Sequence, residues 1–302
     1  MQVRELASKI KKGDRTALAK GITLSEDNPE GAGKLLALMG PPGRAFVVGV
    51  TGPPGTGKSS LVDKLIEVYR KDGLKVGVIA VDPSSPITGG ALLGDRIRMS
   101  GHAGDMSVFI RSMASRGWSG GLSRATSQVI RLMDAAGYDI ILLETVGIGQ
   151  SDIEVVGVSH AVLVVLMPGL GDDIQVSKAG LMEVGDVYVV NKSDLEGSDL
   201  MVVSLLSLFR GGPRSPPVLK VSALSGEGID KLHAAMERIR TSFEAGGADL
   251  RLKSIRGMII ETARGVAMER LAGVSESKAE GLAKQVLDGK TTIEAAAARL
   301  AA

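Results

Sequence analysis

Six short apolar runs punctuate the middle of the chain: Phe46–Val50, Val76–Val81, Asp139–Leu143, Ala161–Leu166, Val187–Val190 and Val218–Val221. They are rich in Val and Ile and do not alternate with polar residues. Strands buried on both faces carry this signature, as in a parallel sheet covered by helices. Amphipathic stretches lie between the runs. Residues 58–70 place Leu61, Leu65, Ile66 and Tyr69 on one helical face. Residues 121–136 do the same with Leu122, Thr126, Val129, Leu132, Met133 and Ala136, and Gly137 marks the expected end of that helix. Strand–helix–strand alternation predicts an α/β fold with a doubly wound, mainly parallel sheet.

The flanks have a different pattern. Residues 2–20 and 31–39 read as helices, and no strand is evident after residue 222. Leu252, Ile255, Ile259, Ala263 and Val266 fall at helical spacing and form an apolar stripe. Helical segments 276–287 and 291–301 follow, with Thr291-x-x-Glu294 as a capping box for the last of them. The proline- and glycine-rich stretch 211–217 reads as a connector.

Composition narrows the function classes. The 302 residues carry 36 Lys+Arg against 34 Asp+Glu, a net charge of +2, which makes no case for nucleic acid or an anionic membrane as partner. Four Phe, three Tyr and one Trp are too few for a base-stacking surface. With no Cys, thiol nucleophiles, disulfides and thiolate metal sites are excluded, and a reducing compartment fits. The three histidines, His102, His160 and His233, are scattered and read as structural or surface residues. Residues 1–20 mix charge throughout, without the apolar core of a signal peptide. The longest apolar stretch, Ala161–Met167, is far below the ~18–20 residues of a membrane span. The expectation is a cytoplasmic protein.

The chemistry is carried by three loops. Gly52-Pro53-Pro54-Gly55-Thr56-Gly57-Lys58-Ser59 matches G-x-x-x-x-G-K-[ST], after an apolar strand and at the start of a helix that continues with Ser60. Glycines there let backbone N–H groups wrap a β-phosphate, and the helix N-terminus adds a favourable dipole. Lys58 neutralises β/γ oxygens, and the Ser59 hydroxyl is a Mg²⁺ ligand. A plain glycine-rich turn would not need the strand and helix on either side. Asn191-Lys192-Ser193-Asp194 follows the run Val187–Val190. Its Asp carboxylate can accept two hydrogen bonds from guanine N1–H and N2–H₂, a donor pair adenine lacks, and Lys192 can lie along the base. Ser222-Ala223-Leu224 follows the next run, where backbone N–H groups can meet the guanine O6. With the phosphate loop as the centre, three parts are expected: a helical N-terminal extension over 1–44, a P-loop domain over 45–245 and a helical C-terminal arm over 246–302.

Acidic residues follow the strands. Asp82 ends Val76–Val81, Glu144 ends Asp139–Leu143, and Asp95 lies in Leu93-Gly94-Asp95-Arg96. A carboxylate at the carboxyl edge of such a sheet faces the nucleotide crevice. There it can hold Mg²⁺ or its waters, or orient the attacking water. Helix capping is the competing role for each. Gln150, two residues later than in Ras-like enzymes, receives no firm role. Trp118, in a glycine-rich stretch, suits a partner contact and a loop anchor equally well.

The blocks Val81–Gly90, Leu93–Arg96, Ser115–Gly117, Glu144–Ser151 and Met167–Asp172 resemble the MeaB/ArgK-type GTPases, the methylmalonyl-CoA mutase-associated group within the SIMIBI class of P-loop proteins. The resemblance runs from about residue 20 to the C-terminus. It implies a homodimeric GTPase using GTP/GDP and Mg²⁺. It also implies that the protein chaperones an adenosylcobalamin-dependent acyl-CoA mutase, gating cofactor loading and protecting the mutase. It makes the C-terminal arm a dimerisation arm. It matches Asp82, Asp95 and Glu144 to the family's acidic Mg²⁺ and catalytic positions, alongside Lys58, and puts Lys178 in a loop that responds to the mutase. Ser193 replaces the usual Ala, and Asp152 and Asp173 replace Glu, each keeping size or charge. Three other readings stay open on residues alone: an ATP-using kinase for transport-system proteins, a metal-delivery GTPase, and a nucleotide-gated scaffold with little turnover.

Overall fold

A computed structural model describes residues 3–82, 100–102, 104–114, 124–145, 155, 157–169, 181–212 and 214–301. Among the described residues, seven strands form one sheet: β1 (Phe46–Thr51), β2 (Val76–Asp82), β3 (Val108–Ala114), β4 (Ile140–Glu144), β5 (Ala161–Leu166), β6 (Val187–Val190) and β7 (Val218–Lys220). Their order is β3-β2-β4-β1-β5-β6-β7, and every pairing is parallel. The expected parallel α/β sheet is therefore present, with one strand more than the six runs foretold. The extra strand is β3, Val-Phe-Ile-Arg-Ser-Met-Ala, whose Arg111 and Ser112 interrupt the apolar pattern. It is an edge strand, so those side chains need no core. Arg111 instead reaches helix α2 (Arg15–Asp27), pairing with Glu26 and donating to Thr23 Oγ1 at 3.2 Å.

Strand side chains alternate between two buried layers. Phe46, Val48 and Val50 of β1 face α4 (Lys58–Lys71) and α7 (Ile229–Ala245), where Leu61, Leu65, Ile66, Tyr69, Leu232 and Met236 are buried. Each such side chain stabilises by roughly 1.5–3 kcal/mol. Val47, Ile141, Leu143 and Val164 face the opposite layer. That layer is built by α5 (Arg124–Ala135) together with the N-terminal helices α1 (Val3–Lys11), α2 and α3 (Pro29–Ala37). Ile10, Leu18, Ile22 and Leu35 lock onto Val129, Leu132 and Met133 there, so the N-terminal helices share the sheet's own core. Asp14 caps α2 through Ala17 N–H at 2.9 Å, and Asn28 caps α3 through Gly31 N–H at 2.8 Å. Such caps are each worth about 1 kcal/mol. Of the helix expected over 121–136, the described part ends at Ala135, and Gly137 follows at φ +83° as the sequence required.

Beyond α6 (Ser198–Phe209) and α7, the chain continues as α8 (Gly247–Ala272), α9 (Glu276–Leu287) and α10 (Ile293–Ala301). The apolar stripe of α8 turns inward only in part. Leu252 and Ile259 are 66% and 63% exposed, while half-buried Ile255 and Met258 lie on the side toward the sheet domain. The cap of α10 also differs from expectation. Thr292, not Thr291, accepts from Ala295 N–H at 3.2 Å, because helix α10 starts one residue later than the capping-box spacing requires. Among the described residues, no helix is long and apolar enough to cross a membrane.

Candidate nucleotide site

The strand order places β1 at the centre, with β4 on one side and β5 on the other. Val50 of β1 lies in register with Glu144, the last residue of β4. The loop leaving β1 thus opens beside the end of β4, at the carboxyl edge where parallel α/β sheets gather ligands. Gly52 turns the chain at φ +139°, and a Cβ on it would overlap the Val165 carbonyl oxygen of β5. Only glycine satisfies both constraints. Gly57 starts α4 at φ +85° with no side-chain cap, and a Cβ there would overlap the Asn191 amide. The first turn of α4 is therefore left without a side-chain acceptor, as an anion-binding helix end requires.

Lys58 is buried and arches back over the loop. Its Nζ donates to the carbonyls of Gly52 at 2.8 Å and Pro53 at 3.0 Å. The Thr56 hydroxyl donates to Pro53 O at 2.9 Å and stiffens the turn. Ser59 Oγ donates to Glu144 Oε1 at 2.6 Å, with both residues buried. This bond ties the helix after the loop to the end of β4. Ser60, next in α4, is exposed, as are Pro54 and Gly55 in the loop. Just below, Thr145 Oγ1 donates to Thr51 Oγ1 at 3.2 Å. The sequence reading did not single out that threonine pair: Thr51 directly follows the apolar run Phe46–Val50, but Thr145 follows Glu144.

Asn191, just past β6, has a different task from its neighbours. Its Nδ2 donates to Thr56 O at 2.7 Å, and its Oδ1 accepts from Ala223 N–H at 3.0 Å. It is a buried strut between the phosphate loop and the 222–224 loop, and Ala223 N–H is already used within the protein. Lys192 follows at φ +56°, a left-handed conformation uncommon for a side-chain-bearing residue. That turn delivers Asp194 to an exposed position, where its Oδ1 accepts from the buried Ser222 Oγ at 3.1 Å. Spacing alone gave no sign of this Ser222–Asp194 bond. Leu224 is 90% exposed beside it.

The structure thus brings together Gly52 to Ser59, Glu144, Asn191 and Ala223. Ser222 holds Asp194 on the same edge. Asp82 closes β2 on that edge too. Asp95, Trp118, Gln150, Asp152, Asp173 and Lys178 lie outside the described residues, as do all of residues 83–96, 115–117, 146–151 and 170–172. The three histidines sit away from the crevice. His102 Nε2 lies 3.0 Å from Asp63, His233 Nε2 lies 2.9 Å from Asp72, and His160 Nδ1 accepts from Val47 N–H.

Comparison with known proteins agrees with this architecture. The family profile of the methylmalonyl-CoA mutase-associated GTPase MeaB matches residues 18–278. A protein of Pyrococcus abyssi designated a GTPase is 49% identical over 267 residues, covering 86% of this chain and 82% of its own. The GTPase ArgK of Escherichia coli is 38% identical over 265 residues, covering 83% and 79%. A crystal structure described as a LAO/AO transport system kinase superposes with a TM-score of 0.75 at 28% identity, covering 99% of this chain and 96% of that one. The chain belongs to the MeaB family of methylmalonyl-CoA mutase-associated GTPases, and is a GTPase with a P-loop α/β fold.

Proposed function

We propose that the chain binds and hydrolyses GTP at the crevice around Lys58 and serves as a chaperone for an adenosylcobalamin-dependent acyl-CoA mutase, gating cofactor loading and protecting the mutase. The observation that carries the site assignment is the 2.6 Å bond between Ser59 Oγ and Glu144 Oε1. It sets a hydroxyl and a carboxylate side by side at the mouth of the loop. These are hard oxygen donors of the kind Mg²⁺ selects, so the residues present fit that ion. Ser59 and Glu144 would hold it, with Asp82 and Asp95 as further carboxylates. When bound, the ion neutralises charge on the β/γ-phosphate oxygens.

The chain's own groups do the rest. Gly52, Pro53, Pro54, Gly55, Thr56 and Gly57 wrap the phosphates, and Lys58 supplies a buried cation to them. Ser59 and Ser60 open the helix whose dipole faces the anion. Asp194 selects guanine, while Asn191 and Ser222 hold the base loop and Lys192, Ala223 and Leu224 complete its walls. Glu144 orients the water that attacks the γ-phosphate or steadies the ion's waters. The mutase as client follows from the family's own description as mutase-associated. The exposed Leu252, Ile259 and Ile260 on α8 support a homodimer formed through residues 246–302, after a P-loop domain over 45–245 and a helical extension over 1–44.

Glu144→Gln tests the site. The amide still accepts from Ser59, so the fold is kept. GTP hydrolysis should fall about 100-fold, the scale on which single charged groups act in such sites. GDP affinity measured without Mg²⁺ should stay within a few-fold. Unchanged turnover would remove Glu144 from the mechanism.

A further inference from the structure

At the opposite edge of the sheet lies a chamber the nucleotide chemistry does not use. It sits where β1 begins, at Ala45 and Val47, about 20 Å of strand away from the phosphate loop. Its volume is about 230 Å³. That is below the ~300–1,000 Å³ of sites for drug-sized ligands, so a nucleotide does not fit. Phe243 from α7, Ile130 from α5, and Ile255 and Met258 from α8 supply apolar walls. The His160 imidazole extends the aromatic surface, stacked on Phe243 with centroids 4.1 Å apart and planes at 27°.

The polar groups are unevenly matched. Asp134 has both oxygens committed to backbone, accepting from Gly43 N–H and from Ala45 N–H. Arg131 donates to Gly40 O at 2.7 Å, and its guanidinium comes no closer to Asp134 than 3.7 Å. Arg251, exposed on α8, makes no ion pair with any described residue. His160 adds no charge near neutral pH, because burial holds its pKa down at about 4. Its Nδ1 accepts from Val47 N–H at 2.9 Å, which leaves Nε2 as the protonated nitrogen of the neutral ring. Two arginines therefore line the chamber with one carboxylate that is already in use, around a wall of flat and flexible apolar side chains.

We propose that this chamber binds a small organic monocarboxylate with a flat or short apolar body. The body rests against Phe243 and Met258, and the carboxylate lies with Arg131 and Arg251. Arginine suits a carboxylate because its planar fork gives paired hydrogen bonds. The walls come from both the sheet domain and α8, so an occupant braces α8 where Gly257 already lies against the Gly157 carbonyl.

The test is methyl NMR on the full chain labelled at methionine, with benzoate as the probe. Met258 is assigned by its loss in Met258→Leu. A ligand of this size should bind with a Kd of roughly 1–10 mM. Benzoate is expected to shift the Met258 methyl saturably. Benzylamine, with the same ring and the opposite charge, is expected to give no saturable shift. Arg251→Gln should raise the benzoate Kd at least about fivefold while GTP affinity stays unchanged, which shows the variant is folded. No saturable shift with benzoate, equal binding of benzylamine, or an unchanged Kd in a folded Arg251→Gln protein would each overturn the proposal.

Discussion

Lys58→Ala should abolish measurable nucleotide binding at micromolar protein, a loss of at least about 100-fold in GTP and GDP affinity. Lys58 is 7% exposed, and its ammonium already sits at 2.8 and 3.0 Å from the Gly52 and Pro53 carbonyls, across the loop that would wrap the phosphates. A hydrogen bond to a charged group contributes about 1.5–3 kcal/mol, and a lysine shared between two phosphates makes two. The sum is roughly 3–5 kcal/mol, or two to three orders of magnitude in Kd. The free protein should lose much less. It gives up two hydrogen bonds to backbone carbonyls, a cost of about 1–2 kcal/mol. Titration with a fluorescent GDP analogue, beside a thermal melt of each protein, separates the two effects. A folded Lys58→Ala protein that binds GDP within fivefold of the parent would sink the phosphate-loop assignment.

Asp194→Ala should erase the preference for guanine. The carboxylate is exposed at the end of a turn and oriented by Ser222 Oγ at 3.1 Å, so it is presented rather than buried. Guanine offers two donors to it and adenine offers none in the same place. Two charge-assisted bonds are worth about 100-fold or more in discrimination. GTP affinity should fall to within a few-fold of ATP affinity, while ATP affinity barely moves because the phosphate loop is untouched. Competition of GTP and ATP for the same fluorescent nucleotide reads both. Retention of a 100-fold preference in Asp194→Ala would move base recognition elsewhere.

The central strands were legible because a strand buried on both faces must be apolar throughout. Ala161–Leu166 and Val187–Val190 match their runs residue for residue. β3 escaped because an edge strand tolerates Arg111 and Ser112, and its ion pair with Glu26 becomes visible only when α2 packs beside it. The stripe of α8 was correctly read as helical, but periodicity does not say what a stripe faces. Leu252 and Ile259 point to solvent, and Gly257, which carries no stripe signal, makes the close approach to the domain. The phosphate loop was legible from its glycines. The role of Asn191 as a strut to Thr56 and Ala223 was not, since it depends on β1, β6 and β7 ending at the same edge.

The most direct test of a mutase-serving GTPase is nucleotide turnover by the purified full chain, with and without an adenosylcobalamin-dependent acyl-CoA mutase from the same source, GTP and ATP run in parallel. Slow GTP-selective turnover that rises several-fold when the mutase is added is the predicted result, because a partner commonly completes such a site. ATP turned over as fast as GTP, or GTP turnover indifferent to the mutase, would contradict the account.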